Sequence, residues 1–497
     1  MTRSGSTGPD PAALGRRDSW EGVRAVVAGF GVSGFAAADN LLHLGAEVTA
    51  LDESTGDEER QEKAELLRVL GADVRLGAGQ TARLPEDVDV LVTSPGWRPS
   101  APLLAQARDR GIPIWGEVEL AWRLRDTGPG GNAAPWLAVT GTNGKTTTVQ
   151  MLDTILRTAG LRSVAVGNVG LPIVEAVMDP APYDVFAVEL SSFQLHYTQS
   201  MAAESAAVLN LAEDHLDWYG SMEEYAADKG RIYERVSRAC VYNAADELTR
   251  HLVEEAEVQE GARAIGFTLG MPGVGMVGVV EDILVDRAFI AERQTSAAEL
   301  CTIDDLGQAL GHTPAPHYVQ NALAAAALAR AHGVSPRAVR DGLRSFRPDG
   351  HRIETVATHG GITWVDDSKA TNPHAAQASL QAYDPVVWIA GGLAKGAHFE
   401  GLVPSVRDRL RGVVLIGRDQ DVIAEALARH APDVPVIALP ADETGAAVMG
   451  HAVQAAARLA VAGDTVLLAP GCASQDQFRD YKARGDAFVA AVRDQIS

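Results

Sequence analysis

The sequence has few cysteines, no long apolar run and no cluster of basic residues. Its 497 residues include three cysteines, Cys240, Cys301 and Cys472, and their wide spacing fits neither a metal site nor a disulfide framework. No stretch approaches the roughly 18 apolar residues that a membrane-spanning helix needs. The first twenty residues also lack the apolar centre of a secretory signal. These absences predict a cytoplasmic protein with reduced cysteines and no membrane partner.

The charge balance narrows the range of partners further. The chain carries 43 Lys and Arg against 65 Asp and Glu, a formal net charge of -22. Nucleic acids and anionic membrane surfaces repel so acidic a protein unless it has a local basic patch. We therefore expect small-molecule substrates and no nucleic acid.

The length and the alternation of apolar runs predict the fold. A chain of this length predicts about three domains, and strand-like runs alternate with helical ones three times over, which is typical of parallel α/β sheets. The fold class is thus α/β, with an N-terminal Rossmann-like domain, a central P-loop ATPase-like parallel sheet with added β-hairpins around 264–312, and a C-terminal Rossmann-like domain. The expected divisions are a disordered tail at 1–20, rich in Gly, Pro and Ser, and domains at 21–130, 131–348 and 349–497.

The strongest single motif is the turn Gly141-Thr142-Asn143-Gly144-Lys145-Thr146, which lies between an apolar strand and a helix. A glycine turn lets backbone N–H groups approach phosphate oxygens, and the helix N-terminus adds partial positive charge. A lysine there neutralises the terminal phosphates, and the following hydroxyl can bind magnesium. The motif departs from the full Walker pattern because Val139 stands where its first glycine would fall. It predicts nucleotide binding.

Candidate metal ligands follow at later strand ends. Glu189 ends the strand YDVFAVEL, and His215 and Lys229 lie fourteen residues apart beyond the next strand. Magnesium prefers hard oxygen ligands and keeps several waters, so one carboxylate, one hydroxyl and nucleotide phosphates suffice. Taken singly, each of these residues is as well explained as a strand-end charge, a structural histidine or a solvated lysine.

A second glycine turn lies near the start of the chain. Gly29-Phe30-Gly31-Val32-Ser33-Gly34 follows a strand, and Asp52 ends the next strand, eighteen residues beyond Gly34. This pattern matches the dinucleotide fingerprint, in which an acidic residue binds a ribose hydroxyl. The pattern predicts a diphosphate ligand but does not distinguish NAD from a UDP-sugar.

In the last third of the chain, polar residues again follow strands. They are Asp366 to Asn372 after ITWV, Lys395 after WIAGG, and Ser474 after LLAPGCA. Ligands of such sheets bind where strands end, so these residues favour a small anionic substrate over ordinary surface loops.

Nine ordered motifs between about residues 24 and 490 together resemble the Mur ligase family. They are GTNGKTTT, GNVGLP, ELSSFQL, NLAEDHLDWY with ADKGRIY, HYVQNALAAAALA, DGHRIE, DDSKATNPHA, GGLAKG and GCASQDQFRDYKARG. The DSKATN and CASQDQF strings resemble those of the members that add D-glutamate. The occurrence of all nine motifs in this order is far more specific than any single motif.

The resemblance implies roles for named residues. Lys145, Glu189, His215 and Lys229 would be catalytic, and magnesium would be held by Thr146, Glu189, His215 and a carbamylated Lys229. ATP would contact Gly141, Thr142, Asn143, Gly144, Lys145, Thr146, Thr147, Asn321, Arg352 and Asp367. The UDP-sugar would contact Gly31, Val32, Ser33, Gly34, Asp52, Ser94, Pro95, Gly96, Asn168, Ser191 and Gln194. D-Glutamate would contact Thr371, Lys395, Ser474 and Tyr481, the last standing where the family pattern has Phe.

The implied activity is an ATP-dependent amide-bond synthesis. A monomeric enzyme would add D-glutamate to UDP-N-acetylmuramoyl-L-alanine through an acyl phosphate, with ATP and Mg²⁺, in peptidoglycan precursor synthesis. Another muramyl ligase or a folate polyglutamylating relative would use the same chemistry on a different acceptor. Two alternatives from other classes are a two-domain dehydrogenase that binds NAD at GFGVSG, which leaves GTNGKT without a role, and a non-catalytic nucleotide-binding regulator.

Overall fold

The computed structural model describes residues 9–56, 58–126, 133–310, 313–348 and 350–496. The first sheet is fully parallel, in the order β3-β2-β1-β4-β5. Its strands are β1 (Arg24–Ala28), β2 (Glu47–Asp52), β3 (Asp73–Leu76), β4 (Val90–Thr93) and β5 (Ile114–Gly116), and its helices are α1 (Val32–His43), α2 (Glu58–Val69), α3 (Pro102–Asp109) and α4 (Glu117–Arg123). The strand order reverses direction between β1 and β4, which is where such sheets bind ligands.

The second sheet has nine strands in the order β14-β13-β12-β11-β10-β9-β6-β8-β7. Its strands are β6 (Trp136–Thr140), β7 (Ser163–Gly167), β8 (Val185–Glu189), β9 (Ser205–Val208), β10 (Ala239–Asn243), β11 (Arg263–Phe267), β12 (Met276–Val280), β13 (Ile283–Asp286) and β14 (Ala298–Thr302). Strands β6 to β12 pair in parallel, whereas β13 pairs antiparallel with both β12 and β14. The hairpins predicted around 264–312 are therefore confirmed as an antiparallel edge on a parallel sheet.

Helices of this domain pack on the sheet and form an apolar core with it. They are α5 (Lys145–Thr158), α6 (Ile173–Met178), α7 (Ser192–His196), α9 (Met222–Gly230), α10 (Glu247–Glu254), α11 (Ile303–Leu310), α12 (Pro316–His332) and α13 (Pro336–Ser345). The short helix α8 (Leu216–Tyr219) lies in the segment Ala212–Met222, which groups with the last part of the chain. Helix α12 is buried along most of its length, since its run of alanines lets it pack closely in the core. It ends at Gly333, whose φ of 99° suits glycine. Ser335 then caps α13 by accepting the Ala338 N–H.

The third sheet has six strands in the order β15-β16-β20-β17-β18-β19. Its strands are β15 (Glu354–His359), β16 (Ile362–Asp366), β17 (Val386–Gly391), β18 (Leu410–Ile416), β19 (Val436–Ala438) and β20 (Thr465–Leu468), and its helices are α14 (Pro373–Leu380), α15 (Leu402–Val406), α16 (Gln420–His430), α17 (Gly445–Leu459) and α18 (Tyr481–Ile496). Two apolar clusters, one on each face, pack helices onto the sheet. Only β15 pairs antiparallel, at the edge.

The three-domain α/β class predicted from the sequence is confirmed, and the chain divides into two compact units. One unit comprises Met1–Leu211 with Glu223–Phe346, and the other comprises Ala212–Met222 with Arg347–Ser497. Among the described residues, no helix is both long and apolar enough to cross a membrane.

The predicted disordered tail is wrong for residues 9–20, where side chains anchor the backbone. The Arg16 guanidinium donates to the carbonyls of Val177, Met178 and Asp179 at the end of α6, at 2.7–3.2 Å. Trp20 is fully buried. An arginine on the free carbonyls of a helix end and a buried tryptophan offset the cost of ordering this polar segment. Residues 1–8 of this tail, and residues 127–132 around the expected boundary between the first two domains, lie outside the described residues.

Candidate active site

The turn between β6 and α5 has the geometry of a phosphate-binding loop. Gly141 and Gly144 have φ of 150° and 82°, in the region that favours glycine. A side chain at Gly144 would collide with the amide of Asn321, which α12 places beside the turn. Because α5 begins at Lys145 and runs for 14 residues, its first N–H groups and its dipole face this turn. The sequence-predicted Asn321 and the glycine turn are thus brought together.

Asn210, which follows β9, holds the turn by its side chain. Its Oδ1 accepts the N–H of Asn143 at 2.8 Å, and its Nδ2 donates to the Asn143 carbonyl at 3.1 Å. Sequence reasoning placed Asn210 in the motif NLAEDH but gave it no role. Its position directly after a strand of the same sheet was the available signal.

Two lysine side chains meet at the carbonyl of Gly141. Lys145 Nζ donates to this oxygen at 2.8 Å and to the Thr142 carbonyl at 2.9 Å. Lys229 is 1% exposed, and its Nζ donates to the same Gly141 oxygen at 3.0 Å. Two cationic groups so close together repel each other, especially away from water. The following hydroxyls, Thr146 and Thr147, are both buried.

Glu189 lies one strand away from the turn, at the end of β8. It pairs with Val139 of β6, so its carboxylate lies at the edge of the sheet where the turn begins. Its Oε1 accepts from Asn168 Nδ2 at 2.8 Å, whereas its Oε2 is buried without a hydrogen-bond partner. A buried carboxylate oxygen left unpaired is costly unless a cation or donor meets it. The donor set therefore fits a hard cation such as Mg²⁺.

No group of three or more His, Cys, Asp or Glu side chains suited to a metal occurs within the described residues. The remaining ligands of a cation at Glu189 would thus be hydroxyl, phosphate or water oxygens, as is usual for magnesium. His215 lies in the segment Ala212–Met222, which belongs to the second compact unit. There it caps α8 with a φ of 56°.

Three of the residues predicted to contact the UDP-sugar, Asn168, Ser191 and Gln194, lie around β8. Asn168 binds Glu189 twice, since its N–H also donates to the Glu189 carbonyl at 2.9 Å. Ser191 and Gln194 form a capping box at the start of α7, in which each side chain accepts the other's backbone N–H. These polar side chains stabilise the loop after β7 and the start of α7, both next to the Glu189 carboxylate.

The first-domain turn lies at the carboxyl ends of β1, β2 and β4. Gly29 has a φ of 93°, and a side chain at Gly34 would overlap the Gly29 carbonyl, so both are fixed by packing. Gly31 differs, because a Cβ there would meet no atom within 4 Å. The space beside Gly31 lies at the start of α1, which begins with Val32 and Ser33, and could admit a ligand.

Asp52 is held by the backbone of its own domain. Its Oδ2 accepts the Phe30 N–H at 2.6 Å, and its Oδ1 accepts the Ser54 N–H at 2.8 Å. Ser94 closes the turn from β4 by donating to the Gly29 carbonyl at 3.1 Å. Pro95 and Gly96 continue this loop, where Gly96 has a φ of 90°.

Helix α4 of the first domain contacts the second domain through two buried glutamates. Glu117 Oε1 accepts the Val174 N–H at the start of α6 at 2.7 Å, while its Oε2 is buried without a partner. Burial raises the pKa of Glu117 to about 7. Burial also raises the pKa of Glu119, but hydrogen bonds from Ser200 and Gln199 outweigh it and the net pKa is lowered.

In the third domain, Asp366 ends β16 and Asp367 follows it. Asp366 accepts from His351 Nδ1 at 2.7 Å, and this hydrogen bond raises the pKa of the imidazole. Burial raises the pKa of Asp367 to about 6, although a hydroxyl from Ser379 binds it. Arg352 lies between His351 and Ile353, which have φ of 66° and 48°. Such backbone is costly for these residues and often marks a functional site.

The residues predicted to bind D-glutamate follow three strands and begin one helix. Thr371 is half-buried after β16, and Lys395 is exposed after β17 with a φ of 50°. Ser474, after β20, is 1% exposed, and its Oγ has no hydrogen-bond partner. Tyr481 begins α18, and its ring lies 4.0 Å from Lys369 Nζ. Ser474 therefore offers a buried hydroxyl that a polar ligand would satisfy.

The fold and these sites define a multidomain α/β protein with a phosphate-binding turn beside a buried carboxylate. More particularly, the chain belongs to the Mur ligase family. Family models match along most of its length: the N-terminal domain of the MurD-like Mur ligases at residues 23–116, the Mur ligase middle domain at 139–329, and the glutamate ligase domain of Mur ligases at 351–472.

Individual relatives are similar over nearly the whole chain. The UDP-N-acetylmuramoylalanine–D-glutamate ligase of Streptomyces avermitilis is 61% identical over 475 residues, covering 96% of this chain and 99% of the relative. That of Mycolicibacterium smegmatis is 46% identical over 502 residues, covering 95% and 97%.

Solved structures share the fold. The UDP-N-acetylmuramate-alanine ligase MurC of Thermotoga maritima matches with a TM-score of 0.56 at 18% identity, covering 95% of this chain and 99% of that one. The MurF ligase of the same organism, solved in complex with ADP, matches with a TM-score of 0.54 at 16% identity, covering 97% and 98%.

Proposed function

We propose that this protein is an ATP-dependent ligase that joins D-glutamate to UDP-N-acetylmuramoyl-L-alanine. Near-full-length relatives carry this activity in their names, at 46–61% identity. The observation that carries the proposal is the unpaired Oε2 of Glu189, buried beside a glycine turn of phosphate-binding geometry. A dehydrogenase that binds NAD at the first glycine turn leaves this carboxylate and the second turn without a role.

The first step is phosphoryl transfer to the terminal carboxylate of the alanyl substrate. A carboxylate oxygen attacks the γ-phosphorus, the bond from phosphorus to the bridging oxygen breaks, and ADP leaves with that electron pair. An acyl phosphate results. Lys145 and the N-terminal N–H groups of α5 offset the negative charge shared by the two anionic reactants.

Magnesium would neutralise phosphate charge and polarise the transferred group. Glu189 and Thr146 would hold it in the first compact unit, with Asn168 orienting Glu189 through their hydrogen bond of 2.8 Å. His215 is the further predicted ligand.

Lys229 would serve as a carbamate, formed when its neutral amine adds CO₂ and loses a proton. The change replaces a buried cation with an anion, which removes its repulsion with Lys145 and supplies two oxygens to a metal. The carbamate nitrogen keeps one hydrogen, so the hydrogen bond from Lys229 to the Gly141 carbonyl can persist.

The second step forms the amide. The neutral D-glutamate amine attacks the acyl carbonyl, a tetrahedral intermediate forms, and phosphate leaves while the nitrogen loses a proton. Thr371, Lys395, Ser474 and Tyr481 would bind the amino acid. A cation and hydroxyl groups suit its two carboxylates.

The test is phosphate release from ATP in the presence of UDP-N-acetylmuramoyl-L-alanine, with D-glutamate, L-alanine or a diamino acid added in turn. Of the three acceptors, only D-glutamate should support turnover. The mass of the product should equal that of D-glutamate and UDP-N-acetylmuramoyl-L-alanine joined with loss of water. Turnover with a different acceptor would place the chain with another muramyl or folate ligase. Binding of NADH without binding of ATP would refute ligase activity.

A further inference from the structure

Arg484 is a fully buried arginine in α18 whose hydrogen bonds all go to loops of the third domain. Its Nε donates to Ser368 Oγ at 3.0 Å, its Nη2 to the Ser368 carbonyl at 2.8 Å, and its Nη1 to the Cys472 carbonyl at 3.1 Å. The side chain is 0% exposed. One planar guanidinium therefore binds two separate loops at once.

The loops that Arg484 joins carry the predicted amino-acid ligands. Ser368 lies three residues before Thr371, in the loop after β16, and Cys472 lies two residues before Ser474, in the loop after β20. Ser368 Oγ in turn donates to the Tyr481 carbonyl at 2.8 Å. Thr371, Ser474 and Tyr481 thus stand on three segments that meet at a single side chain.

The energetics argue against simple space filling. Burial lowers the pKa of Arg484 to about 10, so the group remains a cation at neutral pH. Its hydrogen-bond partners are carbonyls and a hydroxyl, not a carboxylate. Burying a charge without an ion pair is costly, and an apolar side chain of similar volume would fill the space at less cost. The fork geometry of arginine, which fixes the spacing of two loops, is what an apolar residue cannot supply.

We propose that Arg484 is a positioning residue that sets the spacing of the acceptor-binding segments around D-glutamate. It does not touch the substrate, and it acts through Ser368 and Cys472 on the loops that carry Thr371 and Ser474. This inference rests on the proposed function, because it takes the amino-acid acceptor to bind these loops.

The first variant is Arg484→Lys, which keeps the charge but loses the planar fork. The KM for D-glutamate should rise about tenfold or more, since an ångström of misplacement can cost up to about a hundredfold. The KM for UDP-N-acetylmuramoyl-L-alanine should stay within about twofold to threefold of wild type, because the first domain is untouched. The KM for ATP should rise less than that for D-glutamate, because α5 is untouched and only Asp367, next to Ser368, is close to the change. In Arg484→Ala, millimolar guanidinium should restore part of the affinity for D-glutamate, whereas equal concentrations of sodium chloride should not.

A milder variant and a control variant distinguish the proposed role of Arg484 from a folding defect. Ser368→Ala removes only the hydroxyl that links Arg484 to Tyr481, and it should raise the KM for D-glutamate by a smaller factor. Arg479→Ala lies on the same segment with its side chain 86% exposed and should behave as wild type. Folded Ser368→Ala or Arg484→Lys protein with an unchanged KM for D-glutamate, or with equal rises for all three substrates, overturns the inference. Wild-type protein that shows no D-glutamate-dependent phosphate release refutes the proposed function instead.

Discussion

The two glycine turns of the first compact unit share a strand-turn-helix plan but stabilise their backbones by opposite means. In the first domain, the carboxylate of Asp52 accepts the Phe30 N–H at 2.6 Å. In the second, the neutral amide of Asn210 binds Asn143, and Lys145 lies over the turn at 2.8 Å from the Gly141 carbonyl. The first turn is thus braced by an anion and the second by a neutral amide and a cation.

The difference indicates what each turn can bind. A carboxylate beside a turn repels a triphosphate but accepts hydroxyl donors, so Asp52 suits a ribose and a diphosphate that lies further along α1. A lysine at a helix N-terminus concentrates positive charge on the γ-phosphate. Similar glycine spacing therefore does not imply the same ligand, and the residues that brace the turn distinguish the two.

Removal of the Lys145 cation from the second turn should have the largest effect on turnover. Lys145→Ala should lower kcat by about a hundredfold to a thousandfold, the usual loss when one donor that stabilises transition-state charge is deleted. Phosphate release under saturating substrates measures this. Lys63→Ala in the first domain, a surface lysine paired with Glu59, is the matched control and should keep full activity. Retention of near-wild-type turnover by Lys145→Ala would contradict the assignment of the triphosphate to this turn.

Substitution of the second lysine, Lys229, tests whether its buried side chain next to the Gly141 carbonyl is an anionic carbamate. Lys229→Ala should lose about a hundredfold or more in kcat, and acetate or propionate should substantially restore it, because a free carboxylate can take the place of a carbamate. Turnover is measured with increasing carboxylate, and sodium chloride at matched ionic strength is the control. Equal inactivity with and without carboxylate would count against the carbamate.

Much of this comparison was accessible from sequence, because both turns carry local signals. Glycines, a lysine and strand-end acids at fixed spacing are set by backbone sterics and charge, so the turns and Glu189 could be placed before any coordinates. The succession of three α/β domains along the chain followed from the alternation of apolar runs. Strand β15 has no such signal, since it is mostly exposed and has no apolar run to mark it.

The remainder depends on contacts between residues far apart in the chain. Asn210 reaches Asn143 from 67 residues away, and Arg484 reaches Ser368 from 116 residues away. No local pattern encodes such pairs. The ordering of residues 9–20 failed as a prediction for the same reason, since Arg16 finds its partners 161 to 163 residues away.

Alanine substitutions at two glycines of the first turn should distinguish a role in packing from a role in ligand binding. Gly34→Ala should destabilise the protein by about 1–3 kcal/mol, since the added methyl overlaps the Gly29 carbonyl. Gly31→Ala should leave the melting temperature unchanged but raise the KM for UDP-N-acetylmuramoyl-L-alanine about tenfold, because the methyl enters the ligand space. Thermal melts and initial rates distinguish the two variants. An unchanged KM in Gly31→Ala would move the diphosphate away from this turn.

At Glu117, where the two compared domains join, we expect an effect on stability as a function of pH, without a loss of turnover. Burial raises its pKa from 4.5 to about 7, so the folded protein binds this proton more tightly than the unfolded chain. The contribution to stability is then fully present below pH 4.5 and is lost as the pH rises to about 7, by up to about 2–3 kcal/mol in the free energy of unfolding. Denaturant melts between pH 5 and 8 measure it.

The variant Glu117→Gln isolates this effect, because its amide cannot titrate but can still accept the Val174 N–H. Its stability relative to wild type should therefore improve as the pH rises from 5 to 7. Glu119→Gln should differ little in slope from wild type between pH 5 and 8, since the lowered pKa of Glu119 makes its carboxylate fully stabilising above its unfolded pKa of 4.5 and this contribution is lost only as the pH falls below that value. A Glu117→Gln profile that runs parallel to wild type between pH 5 and 8 would contradict the raised pKa of Glu117 and the contrast between the two carboxylates.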